Sequence, residues 1–405
     1  MKPRRFLLAA ALFIAGLSAQ AQDTIQFTWN ATAWEQIAFG IIATADEQFS
    51  IEWGDGNTYQ MIGTDASQVI AYFYYSESKE YMVTITSNTP DCFFTQLGVA
   101  RIPALGLYYS FNTVDVSKCP SLKSLNIDHS NLTTLDVTAN TALQSLACHY
   151  NQLTSLDLSK NTALTYLNCS SNQLTSLDLS KNTALQNLVC NDNQLTSLDI
   201  SKNTALTSLS CYNNRFQLSD LYNFSKKTSL LVKSLGTQRL DSQTIKINEL
   251  VDFSSQAIFD GIETIFTIEK NGTLALLSNY DINNGIITFY DTGDYTITMT
   301  NTAIVSHTFP AKVIAEINVS KRDSVSIAEN PLRITNYELR ITNYELRITN
   351  CELPIENIQI FDVLGRKQKS EIRNQKSEIR IDISHLEKGM YFVRINETVR
   401  KFIKY

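Results

Sequence analysis

Four cysteines, Cys148, Cys169, Cys190 and Cys211, recur every 21 residues, and the interval alone allows a disulfide ladder, a metal site or a redox device. Each aligns with Ile127 of the preceding unit, which faces inward if the units stack. Stacked strands set neighbouring Cα atoms about 4.8 Å apart, within disulfide range, but parallel stacking points the Cβ vectors the same way. Buried thiols packed as small hydrophobes are therefore the expectation. Two of the four histidines, His129 and His149, fall in neighbouring units and raise the question of zinc. No third ligand is evident beside them, so no metal is expected. The carboxylates Asp115, Asp136, Asp157, Asp178 and Asp199 share the 21-residue interval, each between two inward apolar residues. They should face outward about 5 Å apart, where like charges repel by roughly 1 kcal/mol in water. Lys118, Lys160, Lys181 and Lys202 follow three residues later, so a solvated, lysine-balanced face is the better reading than a cation ladder. The sequence has no CxxC pair, HExxH, GxSxG or glycine-rich phosphate loop, and nothing points to a spatial Ser-His-Asp set. No catalytic residue, cofactor or enzyme activity is expected.

The elements that position these groups are visible as repeats. Residues 111–215 hold five units, of which "LQSLACHYNQLTSLDLSKNTA", "LTYLNCSSNQLTSLDLSKNTA" and "LQNLVCNDNQLTSLDISKNTA" are the most regular. An earlier copy, "LKSLNIDHSNLTTLDVTANTA", starts at Leu122, and "FNTVDVSKCPS" is half a copy. Each unit carries L-x-x-L-x-C-x-x-N and then L-x-x-L-D-L-S-K-N, which resembles the bacterial leucine-rich repeats with nested periods. The resemblance implies a solenoid in which Leu164, Leu167, Cys169, Leu174, Leu177 and Leu179 line the inside of one coil. Asn151, Asn172, Asn193 and Asn214 should then form an internal ladder that satisfies backbone groups at the bends. "LSDLYNFSKKTSLLVKSL" (218–235) suits a helix and a final strand that close the last coil.

The second half of each unit hardly changes, whereas outward positions around the Cys strand vary. Stacking gathers Asn126, Asp128, His129, His149, Tyr150, Asn168, Ser170, Asn191, Asp192, Tyr212 and Asn213 into one polar stripe with two tyrosines. That stripe is the candidate binding face for an extended partner; the alternative is neutral drift after recent duplication.

The flanks read as β structure. Residues 22–110 alternate apolar and polar positions, and Trp53-Gly54-Asp55-Gly56 with "KEYMVTITS" resembles a PKD-like, immunoglobulin-type sandwich. Asp55 is expected to form the turn, not to bind calcium. Residues 236–320 return to alternation, and "DTGDYTITM" echoes "SKEYMVTI", so a second immunoglobulin-like sandwich is expected there. Asp281, Asn283 and Asp291 are read as turn residues. Within residues 321–405, "ENIQIFDVLGRK", "IDISHLEKGMYFVRIN" and "VRKFIKY" resemble the C-terminal sorting domain of proteins exported by the type IX secretion system. The resemblance rests on Asp362, Gly365, Arg366, Gly389 and Lys404, and it implies a small β-sandwich recognised by the export machinery. It further implies that the mature protein is either linked to surface lipopolysaccharide or released. Three copies of a seven-residue unit within "LRITNYELRITNYELRITNCEL", and "QKSEIRNQKSEIR", interrupt this segment; their aliphatic spacing does not make an a/d seam, so expanded loops or an edge strand are expected.

The amino terminus has Lys2, Arg4 and Arg5, an apolar run from Phe6 to Leu17, and an A-x-A site at Ala19–Ala21, the pattern of a cleaved signal peptide covering 1–21. With 34 basic against 40 acidic side chains and net charge −6, no nucleic-acid partner is expected, and no later stretch is apolar enough to span a membrane. The whole reads as a mainly β, modular protein: a leucine-rich-repeat solenoid (111–235) between immunoglobulin-like β-sandwiches (22–110 and 236–320), with a small sorting sandwich (321–405). Expected partners are the type IX machinery and an unknown protein or glycan ligand. The function that fits is adhesion or recognition outside the outer membrane. Glycan-binding accessory module and hydrolase are the alternatives.

Overall fold

The computed structural model describes residues 22–31, 33, 36–99, 111–321, 338–341, 345–349, 358–362, 367–368, 372–375, 378–383, 385–387, 389–395 and 398–404. The signal segment, and Gly365 and Arg366 of the sorting motif, lie outside the described residues. The chain divides into two compact units, Met1–Arg322 and Asp323–Tyr405.

Alternation of apolar and polar residues in the first segment produces β1 (Thr24–Ala31), β2 (Gln36–Ala43), β3 (Gln48–Glu52), β4 (Thr58–Ile62), β5 (Val69–Tyr74), β6 (Lys79–Ser87), β7 (Phe94–Val99) and β8 (Phe111–Asp115). Strands β4-β3-β6-β1-β8 form one sheet, while β7, β2 and β5 belong to the sheet facing it. Every second side chain of β1 and β6 (Ile25, Phe27, Trp29; Tyr81, Val83, Ile85) is buried between the layers. The Phe27–Phe39 and Phe49–Phe94 ring pairs, at 5.2 and 5.6 Å, join one sheet to the other. Asp55 makes the turn that its sequence context suggests: its Oδ1 accepts the Asn57 N–H at 3.0 Å. Gly54 before it is required, because at φ 79° an added Cβ would lie 2.5 Å from the Met82 carbonyl oxygen.

The repeats contribute β9 (Ser124–Asn126), β10 (Ser145–Ala147), β11 (Tyr166–Asn168), β12 (Asn187–Val189) and β13 (Ser208–Ser210). They pair in parallel, with Leu125, Leu146, Leu167, Leu188 and Leu209 side by side and buried. A short helix, α1 (Leu218–Lys226), and β14 (Val232–Ser234) close the stack. Leu218, Leu221 and Phe224 turn inward from α1, and the Asp220 carboxylate caps its start by accepting the Gln217 N–H at 2.9 Å.

Only three residues per coil sit in a strand, so the rest of the backbone must find other partners. Two asparagine ladders supply them. In the first, Asn172 Nδ2 donates to the carbonyls of Cys148, Cys169 and Ser170, and its Oδ1 accepts the Leu153 N–H at 2.9 Å. Asn151, Asn193 and Asn214 repeat this arrangement. Ser130 opens the ladder by accepting the Phe111 N–H, and Gln238 ends it by accepting the Asn214 N–H and donating to Cys211 and Leu235. The second ladder, Asn140, Asn161, Asn182 and Asn203, belongs to the invariant half-repeat and is fully buried. Asn182 Nδ2, for example, donates to Leu158 and Asn161 carbonyls one coil away.

A stack of parallel strands exposes unpaired backbone at both ends, which invites association edge to edge. Here both ends are covered. Strand β7 pairs in parallel with β9, with Gln96, Leu97 and Gly98 opposite Ser124, Leu125 and Asn126. One sheet of nine strands results, β14-β13-β12-β11-β10-β9-β7-β2-β5, so the first segment and the repeats share a single sheet. Phe111–Asp115, which reads as half a repeat, instead pairs antiparallel with β1. At the far end the loop around Ser306 and His307 covers β14. The Lys233 N–H donates to His307 Nδ1 at 3.0 Å, the His307 N–H returns to the Lys233 carbonyl at 2.7 Å, and Leu235 N–H reaches Ser306 Oγ. His307 is thus a loop residue that blunts an edge.

Residues 236–320 fold as further sheets, the largest built around Ile265–Lys270, Gly293–Thr300 and Lys312–Ser320, with Tyr295, Ile297, Met299 and Ile317 buried. Asp281 and Asn283 are strand residues, not turn residues, because the bend falls just after them at Asn284 and Gly285, both at positive φ. Asp291 pairs with Lys270 at 2.6 Å. The echo between the two flanking segments has a common geometry: Tyr81 Oη donates to the Glu77 carbonyl and Tyr295 Oη to the Asp291 carbonyl, four residues upstream in each case.

The second unit contains two four-stranded sheets. In one, Ile358–Asp362 and Gly389–Ile395 pair side by side, with Thr398–Lys404 beyond and Ile360 and Val393 buried. Asp362 is buried and accepts the Gln368 amide at 3.2 Å, and Tyr391 Oη donates to the Glu387 carbonyl, again four residues upstream. The seven-residue copies form strands of the other sheet: Glu338–Ile341 pairs with Glu345–Thr349, which pairs with Glu378–Asp382. Arg340, Arg347, Arg380 and Arg373 occupy one row across it by register.

Candidate functional site

The outward face of the nine-stranded sheet carries the candidate residues. Asn126, Ala147, Asn168, Val189 and Ser210 lie in one row because their coils stack in register. The same row continues by pairing through Gly98 and Gly40 to Ile70 on β5. The Gln68 side chain lies over Gly98 and Gly40; a Cβ at Gly40 would meet its Oε1 at 2.5 Å, and one at Gly98 would lie 3.4 Å from its Nε2. Beyond Gln68, Tyr72 and Tyr74 project from β5 with 58% and 53% of their surface exposed. These two aromatic residues are absent from the sequence-derived candidates. Their alternation with buried Ala71 and Phe73 was the available signal.

The residues after each cysteine do not all face outward. The chain bends there, and His129, Tyr150, Ser171, Asp192 and Asn213 hold φ between 51° and 55°. Asp and Asn tolerate this left-handed conformation, whereas for other side chains it costs about 1 kcal/mol or more. The bend buries the preceding position: Asp128, Ser170 and Asn191 are nearly covered, contrary to their reading as outward groups. Ser170 hydrogen-bonds through its N–H and Oγ to Asn168 Oδ1. Asn213 Nδ2 donates to Asp192 Oδ1 at 2.7 Å, and Ser210 Oγ lies 3.1 Å from Asn191 Oδ1, so side chains of adjacent coils hold each other. The stripe is a fixed hydrogen-bonded surface.

The two tyrosines of the stripe differ. Tyr150 is 54% exposed and its ring lies 4.3 Å from that of His129 and 5.5 Å from that of His149. Tyr212 is partly covered by Phe309, 5.4 Å away, from a loop that only the tertiary fold brings there. A cleft of about 380 Å³ opens beside it, lined by Tyr212, Asn213, Gly236, Thr237, Phe309 and Lys312. Gly236, at φ 52°, permits this close passage, since a Cβ there would lie 2.5 Å from Tyr212 Cβ.

The aspartate row is occupied locally. Asp157, Asp178 and Asp199 each accept the backbone N–H of the serine two residues on, at 2.8 Å. That bond, followed by one from the serine hydroxyl, holds each carboxyl below its ordinary pKa, and the neighbouring lysine adds less. These carboxylates shape the turn.

The cysteine ladder is buried and unbonded: Cys148, Cys169, Cys190 and Cys211 are free thiols with no exposure. Burial pushes the Cys169 thiol up to about 12 and raises Cys148 and Cys190 well above the ordinary value. Iodoacetamide at pH 8 should therefore leave all four unmodified in the folded protein and alkylate all four after denaturation. A Cys169–Cys190 disulfide in peptide mass spectra would contradict this geometry.

Comparison with known families agrees with the C-terminal part of this organisation. Residues 330–405 match the secretion system C-terminal sorting domain family, so the protein is one secreted to the cell surface or beyond. The central region, by its repeats and its parallel stack, is a leucine-rich-repeat solenoid. Several solved structures are similar to the chain. They include the functional domain of InlJ from Listeria monocytogenes, which includes a cysteine ladder (20% identity over 52% of this chain and 64% of that one, TM-score 0.23). Two more from the same organism are InlP (18%, 51% and 68%, TM-score 0.31) and the secreted internalin-like protein Lmo2445 (14%, 49% and 76%, TM-score 0.36). The chain thus spans less than two thirds of the InlJ structure. No curated protein matches the chain. No described helix is long and apolar enough to cross a membrane.

Proposed function

We propose that the protein is a non-enzymatic adhesion or recognition molecule that binds an extended protein partner along the outward face of its nine-stranded sheet. The observation that carries this reading is the register that aligns the variable positions of five coils into one row, continuous with the aromatic surface of β5. Variable positions include solvent-facing side chains such as Tyr150 and Asn213, while the invariant half-repeat supplies core leucines and the second asparagine ladder. The strained placement of Tyr150 supports the same reading, since a left-handed tyrosine gives up stability at an exposed position. Immunoglobulin-type kinship of the flanking sandwiches belongs to this proposal; the tyrosine corners at Tyr81 and Tyr295 support it.

Replacing Tyr150 and Tyr212 together by Ala should weaken capture of labelled full-length protein by its target cells at least tenfold, since exposed aromatic anchors dominate such surfaces. Tyr150→Asn should lower binding while leaving the melting temperature equal or higher, because Asn accepts the left-handed backbone. Unchanged binding by a folded double variant would remove the stripe from consideration. Exposed Tyr72 and Tyr74 favour a second reading, sugar stacking on β5. A glycan array separates the two: a signal lost in Tyr72→Ala/Tyr74→Ala but kept in Tyr150→Ala would establish carbohydrate as the ligand.

A further inference from the structure

We propose that Asp128, His129 and His149 bind one divalent transition-metal ion of the zinc class at the solenoid surface, with a coordination position left open to solvent or to a ligand from a partner. The repeat interval builds the site. Asp128 and His149 occupy equivalent positions in successive coils, and His129 is the next residue, one coil below Tyr150. Stacking brings them together, with the His129 N–H donating to the His149 carbonyl at 3.0 Å.

Asp128 Oδ2 lies 3.2 Å from His129 Nδ1 and 3.2 Å from His149 Nε2, and the three donor atoms all lie within 4.8 Å of one another. Zinc bonds of about 2.0–2.1 Å to nitrogen and oxygen set tetrahedral edges of roughly 3.3 Å. Two of the three edges thus already have about the metal-bound length, and the third, within 4.8 Å, closes on binding. The donors suit zinc and its neighbours in the first transition row; calcium and magnesium prefer sets made of oxygen. Three protein ligands with an open fourth position is also the arrangement of zinc sites that take an exogenous ligand.

Burial orders the site. The Asp128 side chain is 1% exposed and cannot swing into water, whereas the imidazoles keep 25% and 17% exposure and leave an approach for the ion. The third ligand is what the sequence reading lacked: Asp128 was placed on the outer stripe, and the left-handed bend at His129 turns it inward between the rings. The corresponding positions in later coils are Ser170 and Ser171, Asn191 and Asp192, and Tyr212 and Asn213, which lack imidazole. One ion is therefore expected among the described residues of the solenoid. The ion would bind whether or not the stripe recognises a partner, so the two readings fail separately.

The test is calorimetric titration of zinc chloride into chelator-treated full-length protein, with cobalt substitution to read coordination geometry. One equivalent should bind, and cobalt should give the visible absorption of a tetrahedral site. His129→Ala and His149→Ala should each weaken binding more than tenfold, while His307→Ala leaves it unchanged. Asp128→Asn, nearly isosteric, should weaken it similarly; if that buried substitution prevents folding, His149→Gln on the surface decides the matter. No stoichiometric binding, or binding unaffected by loss of either His129 or His149 in variants with native circular dichroism, would overturn the proposal.

Discussion

Asn172→Asp is expected to destabilise the repeat region by about 4 kcal/mol at neutral pH, roughly twice the loss from Asn172→Ala. The difference follows from the ladder's bonding. Alanine removes the acceptor of the buried Leu153 N–H, which costs about 2 kcal/mol. The carbonyls it deserts are partly protected, because Cys148 also receives Asn151 Nδ2 and Cys169 also receives Asn193 Nδ2. Aspartate keeps the acceptor for Leu153 but turns a second oxygen toward the carbonyls of Cys148, Cys169 and Ser170. A buried carboxylate facing three carbonyl oxygens must be desolvated against repulsion or take up a proton. Urea denaturation of the two variants at pH 7 measures the order, and an aspartate variant as stable as the alanine one would show that the ladder's donors matter little. Acidification should narrow the gap, since a protonated carboxyl regains one donor.

Deleting residues 330–405 is expected to abolish appearance of the protein at the cell surface or in the medium, with the remainder retained inside the outer membrane. The deleted segment is the one that matches the sorting-domain family, and its paired strands Ile358–Asp362, Gly389–Ile395 and Thr398–Lys404 form a sheet with its own buried residues, Ile360 and Val393. The first compact unit ends at Arg322, before the deleted residues, so the deletion removes none of its core. The truncated chain should therefore still fold, and the loss should be one of location. Cell fractionation with protease shaving of intact cells reads the result. Surface-exposed truncated protein at wild-type abundance would mean that another segment directs export. Asp362→Ala should have a smaller effect, because it removes side-chain contacts such as that to Gln368 and leaves the strand pairing in place.

The 21-residue period made much of this protein legible. A leucine or cysteine at a fixed place in every unit faces inward for the same steric reason each time, so Leu167, Cys169 and Leu188 are buried as their spacing requires. The asparagine after each cysteine had a readable purpose too, as did the helix and strand that close the stack. Even the second ladder was present in the repeated S-K-N, although only its depth in the structure revealed that Asn161, Asn182 and Asn203 also donate to carbonyls of the preceding coil.

What lay beyond the sequence was every contact made once between distant segments. That β7 continues the solenoid sheet, that Gln238 takes the place of the next asparagine, that His307 covers β14 and that Phe309 leans on Tyr212 involve no repetition, so no period announces them. Asp128 shows the distinction at a single residue. Its spacing established which coil position it occupies, but its orientation depended on the bend at His129 and on the coil stacked above, which together place its carboxylate between two imidazoles. The sequence by itself determined the repeating coil, its buried ladder and the address of the chain, because those follow from local pattern. The tertiary structure alone decided which residues meet at the surface, because side-chain direction and neighbours are set by pairings between segments that the chain brings together only on folding.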